Sequence, residues 1–308
     1  MSINKSIGVL GAANLDITGF PEHELIFGDA NIGTTETSPG GVGRNIAENL
    51  LRLGFTVDLI SVFGDDTLSK HLIQSCESLG LHTKNSIFLK NAAAASFLAI
   101  MNSHNDLALG ISAMEIYNEL SVSLFESKIA LLQKTDLIVL ETNFPKTILE
   151  YITDKLPDKK FVLDTVSGKK ALRSKDILPS LYILKTNLLE AQMLSGFTVD
   201  KKTNTDDLVR FFLDKGVKNV FITLGKEGVA YGNYHTISKM SPIPSTIINT
   251  IGAGDSFVSG IIYADSLGLN IHKMALYGMA SAGINVQYNG AVSPEMTIEN
   301  LEKKLSDQ

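Results

Sequence analysis

Residues 250–257 read Thr-Ile-Gly-Ala-Gly-Asp-Ser-Phe, and this stretch decides how the rest of the chain is interpreted. Its carboxylate, Asp255, is the only charged residue between Lys239 and Asp265. A carboxylate alone in an apolar stretch costs free energy unless it caps a helix or takes part in chemistry. The glycines permit a tight turn, and the apolar spacing after Asp255 predicts a helix, whose N-terminal N–H groups bind anions. A plain helix cap after a glycine turn is the alternative.

Two more polar turns with glycine lie near the start of the chain. Residues 38–47 read Ser-Pro-Gly-Gly-Val-Gly-Arg-Asn-Ile-Ala, and residues 11–16 read Gly-Ala-Ala-Asn-Leu-Asp. In open parallel sheets, ligands bind beyond the carboxyl ends of the strands. Asn14 and Asp16 are spaced to bind the vicinal hydroxyls of a sugar, with an Asx-type turn as the alternative. The turns therefore predict a site for a polar ligand.

Short apolar runs alternate with helical patterns along most of the chain. The predicted strands are Ile7–Leu10, Val57–Val62, Leu137–Leu140, Phe161–Leu163, Tyr182–Leu184 and Val220–Leu224. The predicted helices are Asn45–Leu53, Leu68–Leu79, Leu120–Leu132, Lys146–Lys155, Leu188–Leu194, Asp206–Lys215, Ser256–Leu267, His272–Val286 and Ile298–Leu305. Solid apolar runs are typical of strands that are covered on both faces. The alternation predicts an α/β fold with a mostly parallel sheet.

Two insertions interrupt this alternation. Thr18–Ser38 is polar and contains glycine, with a β-prone stretch at Thr34–Thr37. Ala95–Met101 with Leu107–Ile111 predicts a hairpin. Both are too short to be domains, so we expect one domain over residues 1–308. Its lid would be a small sheet built from about residues 15–39 and 93–113. Exposed edges on such strands also offer a surface for a homodimer.

Composition excludes several classes of protein. The 308 residues carry a net charge of −6, with 44% hydrophobic and 19% charged residues and a single cysteine, Cys76. This balance argues against disorder and against a nucleic-acid partner. The start of the chain shows no secretory signal, and we expect no membrane span and a cytoplasmic location.

Several catalytic motifs are absent from the sequence. There is no GxxxxGK[ST], no GxGxxG and no GxSxG, and the six histidines form no i, i+4 pair. The missing dinucleotide fingerprint makes an NAD-dependent oxidoreductase a remote alternative.

The segments Gly40-Gly41…Asn45 and Gly252-Ala253-Gly254-Asp255 resemble the two signatures of the ribokinase-like (phosphofructokinase-B) carbohydrate and nucleoside kinases. SPGGVGRNIAENLLRLG, GAANLDITG and ILKTNLLEAQMLSG are similar to the pseudouridine kinase branch. The resemblance implies a three-layer α/β/α fold, ATP and Mg²⁺ as cofactors, and a small-molecule nucleoside or sugar as substrate. It implies transfer of a phosphoryl group from ATP to the 5′-hydroxyl of pseudouridine. Ribokinase or another nucleoside or sugar kinase is the alternative, and a silent binding protein is a remote one.

The resemblance also implies roles for individual residues at the two turns. Asp255 is the expected general base, and the N–H groups of Gly252, Ala253 and Gly254 are expected to hold the transferring phosphoryl group. The expected acceptor-binding residues are Asn14, Asp16, Gly40, Gly41 and Asn45, with Glu141 and Asn143 as weaker candidates. The lid residues Phe97, Ile111 and Met114 are candidates to cover the base.

For the nucleotide and metals, the resemblance implies three groups of residues. Asn187 and Glu190 match a motif associated with Mg²⁺, with Glu190 acting through water, although a capping box explains the spacing too. The expected nucleotide-binding residues are Thr223, Gly225, Gly228, Gly278, Met279 and Ala282, the last three of which core packing also explains. A possible K⁺ site would use Asn249, Ile251, Gly290 and Ser293. Because many relatives carry aspartate at the position of Asn249, we expect only weak activation by K⁺.

Overall fold

The computed structural model describes residues 5–104, 106–197 and 204–307, and its main feature is an eight-stranded sheet. The strands in chain order are β1 (Ser6–Leu10), β2 (Asn14–Pro21), β3 (Gly33–Gly40), β4 (Thr56–Ile60), β5 (Val62–Phe63), β6 (Ile87–Phe88), β7 (Ser96–Met101), β8 (Leu107–Ala113), β9 (Leu137–Glu141), β10 (Phe161–Asp164), β11 (Leu181–Asn187), β12 (Asn219–Thr223), β13 (Val229–Asn233) and β14 (Thr236–Met240). The order across the main sheet is β14-β13-β12-β11-β10-β9-β1-β4. Pairing is parallel from β4 to β12, and β13 and β14 add an antiparallel edge.

Helices cover both faces of this sheet. They are α1 (Val42–Arg52), α2 (Thr67–Ser78), α3 (Glu126–Leu132), α4 (Lys146–Lys155), α5 (Gly168–Ala171), α6 (Leu188–Ser195), α7 (Thr205–Asp214), α8 (Ala253–Ser266), α9 (Ile271–Asn285) and α10 (Ile298–Ser306). One buried cluster packs α1, α8, α9 and α10 against the strands, and a second packs α3, α4, α6 and α7 against the other face. The predicted three-layer α/β/α fold is therefore confirmed.

Two predicted elements are wrong in detail. The predicted strand Val57–Val62 is divided, because the N–H of Ser61 donates to Ser86 Oγ at 3.1 Å and Val62 then pairs with Ile87. The predicted helix Leu120–Leu132 begins instead as a 3-10 turn over Val122–Phe125, before α3. Serine hydroxyls compete with helical hydrogen bonds, and Ser121 and Ser123 bond to each other at 3.0 Å in this segment.

Four strands form a second sheet, which we call the small sheet, in the order β3-β2-β7-β8. The predicted hairpin lies in it as β7 and β8, and the β-prone insertion forms β3. The small sheet begins at the carboxyl end of β1, because only residues 11–13 separate β1 from β2. This short connection places β2 beside the carboxyl edge of the main sheet. The function of the small sheet as a lid stays a prediction.

The helices of the described residues are all too short or too polar to span a bilayer.

Candidate active site

Helix α8 begins at a glycine turn that no other residue could form. Gly252 is its N-cap, with a left-handed backbone at φ 73°, and no side chain caps the helix. A Cβ at Gly252 would lie 1.8 Å from the carbonyl oxygen of Ala291, so the turn excludes side chains twice over. Asp255 lies in the first turn of the helix and does not cap it. The helix-cap alternative for Asp255 is therefore wrong. Ala253 N donates to the Thr250 carbonyl at 3.3 Å, whereas the N–H groups of Gly254 and Asp255 make no hydrogen bond within the described residues and can bind an anion.

Asp255 is held by a residue of the other signature. Its side chain is 8% exposed, and Asn45 Nδ2 donates to Asp255 Oδ2 at 2.8 Å. Burial and the nearby Asp164 charge raise the pKa of Asp255 to about 7, while Lys185, Asn45 and Arg44 oppose that shift. A carboxylate with a pKa near neutrality can take a proton during a reaction at physiological pH.

Glycines bring Asn45 to this position by permitting close backbone approach. Gly41 has φ 100°, and a Cβ on it would lie 2.3 Å from the Ala12 carbonyl oxygen. A Cβ on Gly43 would lie 2.4 Å from Gly11 Cα. Helix α1 can therefore pack directly against the turn between β1 and β2.

Asn14 and Asp16 lie on that same turn and strand. Asn14 Nδ2 donates to Asp16 Oδ1 at 2.6 Å, and a Cβ on Gly40 would lie 2.1 Å from Asp16 Oδ2. Burial raises the pKa of Asp16, although the bond from Asn14 and the Arg44 charge oppose it. The structure thus brings the predicted residues of the two N-terminal turns into one polar cluster, which we call the polar pocket, and Asn45 links it to Asp255.

Glu141 and Asn143 lie beside the turn between β1 and β2, on the side of β9. Glu141 ends β9, is fully buried, and accepts hydrogen bonds from Ala12 N, from Asn143 N at 2.8 Å and from Asn143 Nδ2 at 2.6 Å. Burial raises the pKa of Glu141 to about 7. Because protein donors occupy both its oxygens, Glu141 fixes the turn between β1 and β2.

The three predicted lid residues lie in different surroundings. Phe97 is paired in register with Asp16 and is half-buried, so its ring shares a face of the small sheet with that carboxylate. Ile111 is paired with Leu98, which places it on the opposite face, and it is 52% exposed. Met114 packs against the main core. Of these three residues, only Phe97 lies on the same face of the small sheet as Asp16.

Asn187 and Glu190 form the capping box that the spacing also allowed. Asn187 caps α6, accepting from Glu190 N at 2.9 Å, and its own N–H donates to Glu190 Oε2 at 3.0 Å. Thr165 Oγ1 donates to the same oxygen at 2.6 Å, and Asn187 Nδ2 donates to Oε1 at 2.7 Å. With both oxygens engaged, Glu190 fits Mg²⁺ through bound water, since Mg²⁺ keeps several of its waters.

An apolar cavity of about 550 Å³ lies on the other side of α8. Most of the predicted nucleotide-binding residues line it: Thr223, Gly225, Gly228, Met279 and Ala282. Ala253 and Gly254 line it too, so the cavity opens onto the start of α8. Gly278 does not line it, since a Cβ there would lie 2.7 Å from the ring of Phe257 and the residue is packed between α8 and α9. A cavity of this size suits the base and sugar of a nucleotide.

The residues predicted for a monovalent cation are tied together by an asparagine. Asn249 Oδ1 accepts from Ile251 N at 2.9 Å, and the Ile251 carbonyl accepts from Asn285 Nδ2 at 2.8 Å. Asn285 is fully buried and also accepts from Ser293 N at 3.1 Å. Gly290 packs against the ring of Tyr288. Two of the predicted cation ligands therefore each already accept one protein hydrogen bond, and Asn249 brings no formal charge to the site.

Two charged residues of the site are missing from the motif-based prediction. Lys185 Nζ lies 2.8 Å from Asp164 Oδ2, and these side chains are 8% and 2% exposed. Both stand at the carboxyl end of the main sheet, where Lys185 pairs in register with Asp164. The available signal was a lysine inside the apolar run of a buried strand, since such a charge needs a partner.

The family that this chain matches consists of kinases that phosphorylate an alcohol group. The family model described as pfkB family carbohydrate kinase matches residues 4–298, and the chain belongs to this family. Pseudouridine kinase from Escherichia coli (strain K12) is 27% identical over 296 residues, which cover 95% of this chain and 94% of that protein. Ribokinase from Haemophilus influenzae is 26% identical over 309 residues, covering 97% and 99%. The structure of a carbohydrate kinase from Agrobacterium tumefaciens matches with a TM-score of 0.87 at 26% identity, covering 98% of this chain and 97% of the other.

Proposed function

We propose that the protein transfers the γ-phosphoryl group of ATP to the 5′-hydroxyl of pseudouridine, giving pseudouridine 5′-phosphate. The observation that carries this proposal is the position of Asp255. It lies between the polar pocket of Asn14 and Asp16 and the nucleotide-sized cavity, at the free N-terminus of α8. The 27% identity to pseudouridine kinase over nearly the whole chain supports the choice of acceptor.

The donor would bind with its base and ribose in the apolar cavity and its phosphates toward Gly252, Ala253 and Gly254. The first N–H groups of α8 then face the charge that develops on the transferring phosphoryl group. Thr223, Gly225 and Gly228 border the path of the phosphates. Mg²⁺ supplies charge neutralisation when it is bound, and Glu190 would hold its waters.

The acceptor would bind with its ribose hydroxyls against the polar pocket. Asp16 would accept hydrogen bonds from these hydroxyls, and the Asn14 amide would donate to them. Asn45 would lie between the ribose and Asp255, to which it already donates a hydrogen bond. Phe97 would cover the acceptor from the small sheet. Asp255 takes the proton of the 5′-hydroxyl as the new P–O bond forms, which its pKa of about 7 permits near neutral pH.

An acceptor panel tests this function. Purified protein with Mg²⁺ and ATP is given pseudouridine, uridine, ribose, fructose or no acceptor at matched concentrations, and ADP release is measured. We expect the highest kcat/KM with pseudouridine. A preference for ribose would favour a ribokinase, as the Haemophilus relative suggests, and binding without any turnover would favour a silent binding protein.

We also propose a cytoplasmic homodimer formed through the small sheet. Leu107, Leu109 and Ile111 of β8 are each more than half exposed, and apolar rows of this kind mark interaction surfaces. Sedimentation of the wild type should give twice the monomer mass. Leu109→Glu should give the monomer, and a monomeric wild type at micromolar concentration would contradict the proposal.

A further inference from the structure

Lys185 is a buried ammonium group to which the mechanism above assigns no role. It lies on β11, is 7% exposed, and bonds to Asp164 Oδ2 at 2.8 Å. An ammonium has three N–H donors. Among the hydrogen bonds of residues 5–104, 106–197 and 204–307, the bond to Asp164 is the only one that Lys185 Nζ makes. Two donors are therefore left for a further acceptor.

The ammonium faces the start of α8. A Cβ on Gly254 would lie 2.6 Å from Lys185 Nζ, so the charge rests directly against the Gly254 backbone. The first turn of a helix is the positive end of its dipole. Two positive groups side by side repel each other unless an anion binds to both.

The lysine keeps its charge in this position. Burial by itself lowers the pKa of Lys185, but the Asp164 carboxylate more than offsets burial and the pKa is raised. Asp255 also acts on Lys185 in the same direction, which places the ammonium next to the expected base. Lys185 is thus a permanent cation that Asp164 holds in place.

We propose that Lys185 is a catalytic residue that donates hydrogen bonds to the oxygens of the phosphoryl group during its transfer. The inference rests on the proposed function. The bond from phosphorus to the ADP oxygen breaks, the bond to the 5′-oxygen forms, and the proton of the 5′-hydroxyl goes to Asp255. The N–H groups of α8 stabilise the phosphoryl oxygens on one side and Lys185 on the other. A side chain at position 254 would displace the ammonium, because its Cβ would lie 2.6 Å from Lys185 Nζ.

A pair of variants separates catalysis from ion pairing. Lys185→Met alone leaves Asp164 as an unpaired buried charge and can fail to fold. We therefore compare Asp164→Asn, in which Asp255 and Glu190 still favour the charged form of Lys185, with the double variant Asp164→Asn/Lys185→Met, which removes both charges. Thermal melts and the affinity for ADP serve as controls for folding.

The double variant should lose about 100-fold in kcat relative to Asp164→Asn. Its affinity for ATP should fall about 10-fold or more, while its affinity for ADP changes little, because only ATP carries the γ-phosphate. The acidic limb of its pH–rate profile should move to higher pH, since the Lys185 charge lowers the pKa of Asp255. A purely structural lysine would leave the kcat values of the two variants equal and the ratio of their ATP to ADP affinities unchanged, whereas the shift of the acidic limb reports only that Lys185 lies near Asp255.

The outcomes distinguish this inference from the proposed function. If the wild type turns over no acceptor, the proposed function fails, and the ratio of ATP to ADP affinities still decides the role of Lys185. If the wild type is active and the two variants share the same kcat and the same affinity ratio, the inference is overturned. A wild type that binds neither nucleotide overturns it as well.

Discussion

Replacing Asp255 by asparagine should lower turnover by about 10²-fold or more and stabilise the protein at the same time. The pKa of the Asp255 carboxyl is raised from its ordinary value of 3.8 to about 7 in the folded state. Between these pH values the folded state therefore holds a proton that the unfolded state releases. Stability of the wild type therefore falls as pH rises through this window, and the loss is complete above pH 7. Each pH unit is worth about 1.36 kcal/mol, so the part of the window between pH 5 and pH 7 corresponds to about 3 kcal/mol. Asparagine does not titrate and can still accept the hydrogen bond from Asn45.

The measurement is the free energy of unfolding in urea at pH 5 and at pH 8, followed by circular dichroism. The advantage of Asp255→Asn over the wild type should grow by about 3 kcal/mol between the two pH values. Asp158→Asn, which replaces an exposed carboxylate, is the matched control and should show no such growth. Turnover by Asp255→Asn should fall by about 10²-fold or more, with little change in nucleotide affinity. An advantage that does not grow with pH would refute the burial argument, and a retained kcat would refute the role as base.

Three other changes follow from the site. Asp16→Ala should raise the KM for the acceptor sharply while ATP still binds in isothermal titration; an unchanged KM would remove Asp16 from the pocket. Gly43→Ala should destabilise the fold by about 3 kcal/mol in urea, because its Cβ would lie 2.4 Å from Gly11 Cα, and a loss below about 1 kcal/mol would show that α1 moves away freely. Initial rates in potassium and in tetramethylammonium should agree within about twofold, since Asn249 is neutral and both its oxygen and the Ile251 carbonyl already accept a hydrogen bond; strong activation by potassium would contradict this.

The fold was predictable because its strands are buried on both faces. Fully covered parallel strands are solid apolar runs, such as Leu137–Leu140, and helices separate them at regular intervals. The antiparallel edge was not predictable by the same rule. β14 reads Thr-Ile-Ser-Lys-Met and lies half in solvent, so its sequence carries no buried-strand pattern.

Site residues were predictable where a single turn carries them. They were not predictable where the register of two paired strands brings them together. Asn14, Asp16 and Asp255 lie on or next to glycine-containing turns, and such turns indicate a ligand-binding site. Lys185 and Asp164 are 21 residues apart in the chain, and only the pairing of β10 with β11 brings them together. The face that Ile111 occupies was not predictable for the same reason, because the pairing of β7 with β8 places it opposite to Phe97.

The hydrogen bonds of Asn285 to Ile251 and Ser293 also make the donor side of the site stiffer than the acceptor side. Asn285 is the last residue of α9, the helix that contributes Met279 and Ala282 to the cavity wall. Through its amide, the wall of the cavity and the turn before α8 are fastened to each other, so we expect them to move as one rigid body. The small sheet, by contrast, joins the rest of the described chain through four short connections, at residues 11–13, 41, 89–95 and 114. Opening and closing would then be carried by the acceptor side, while the donor side keeps its shape throughout the cycle.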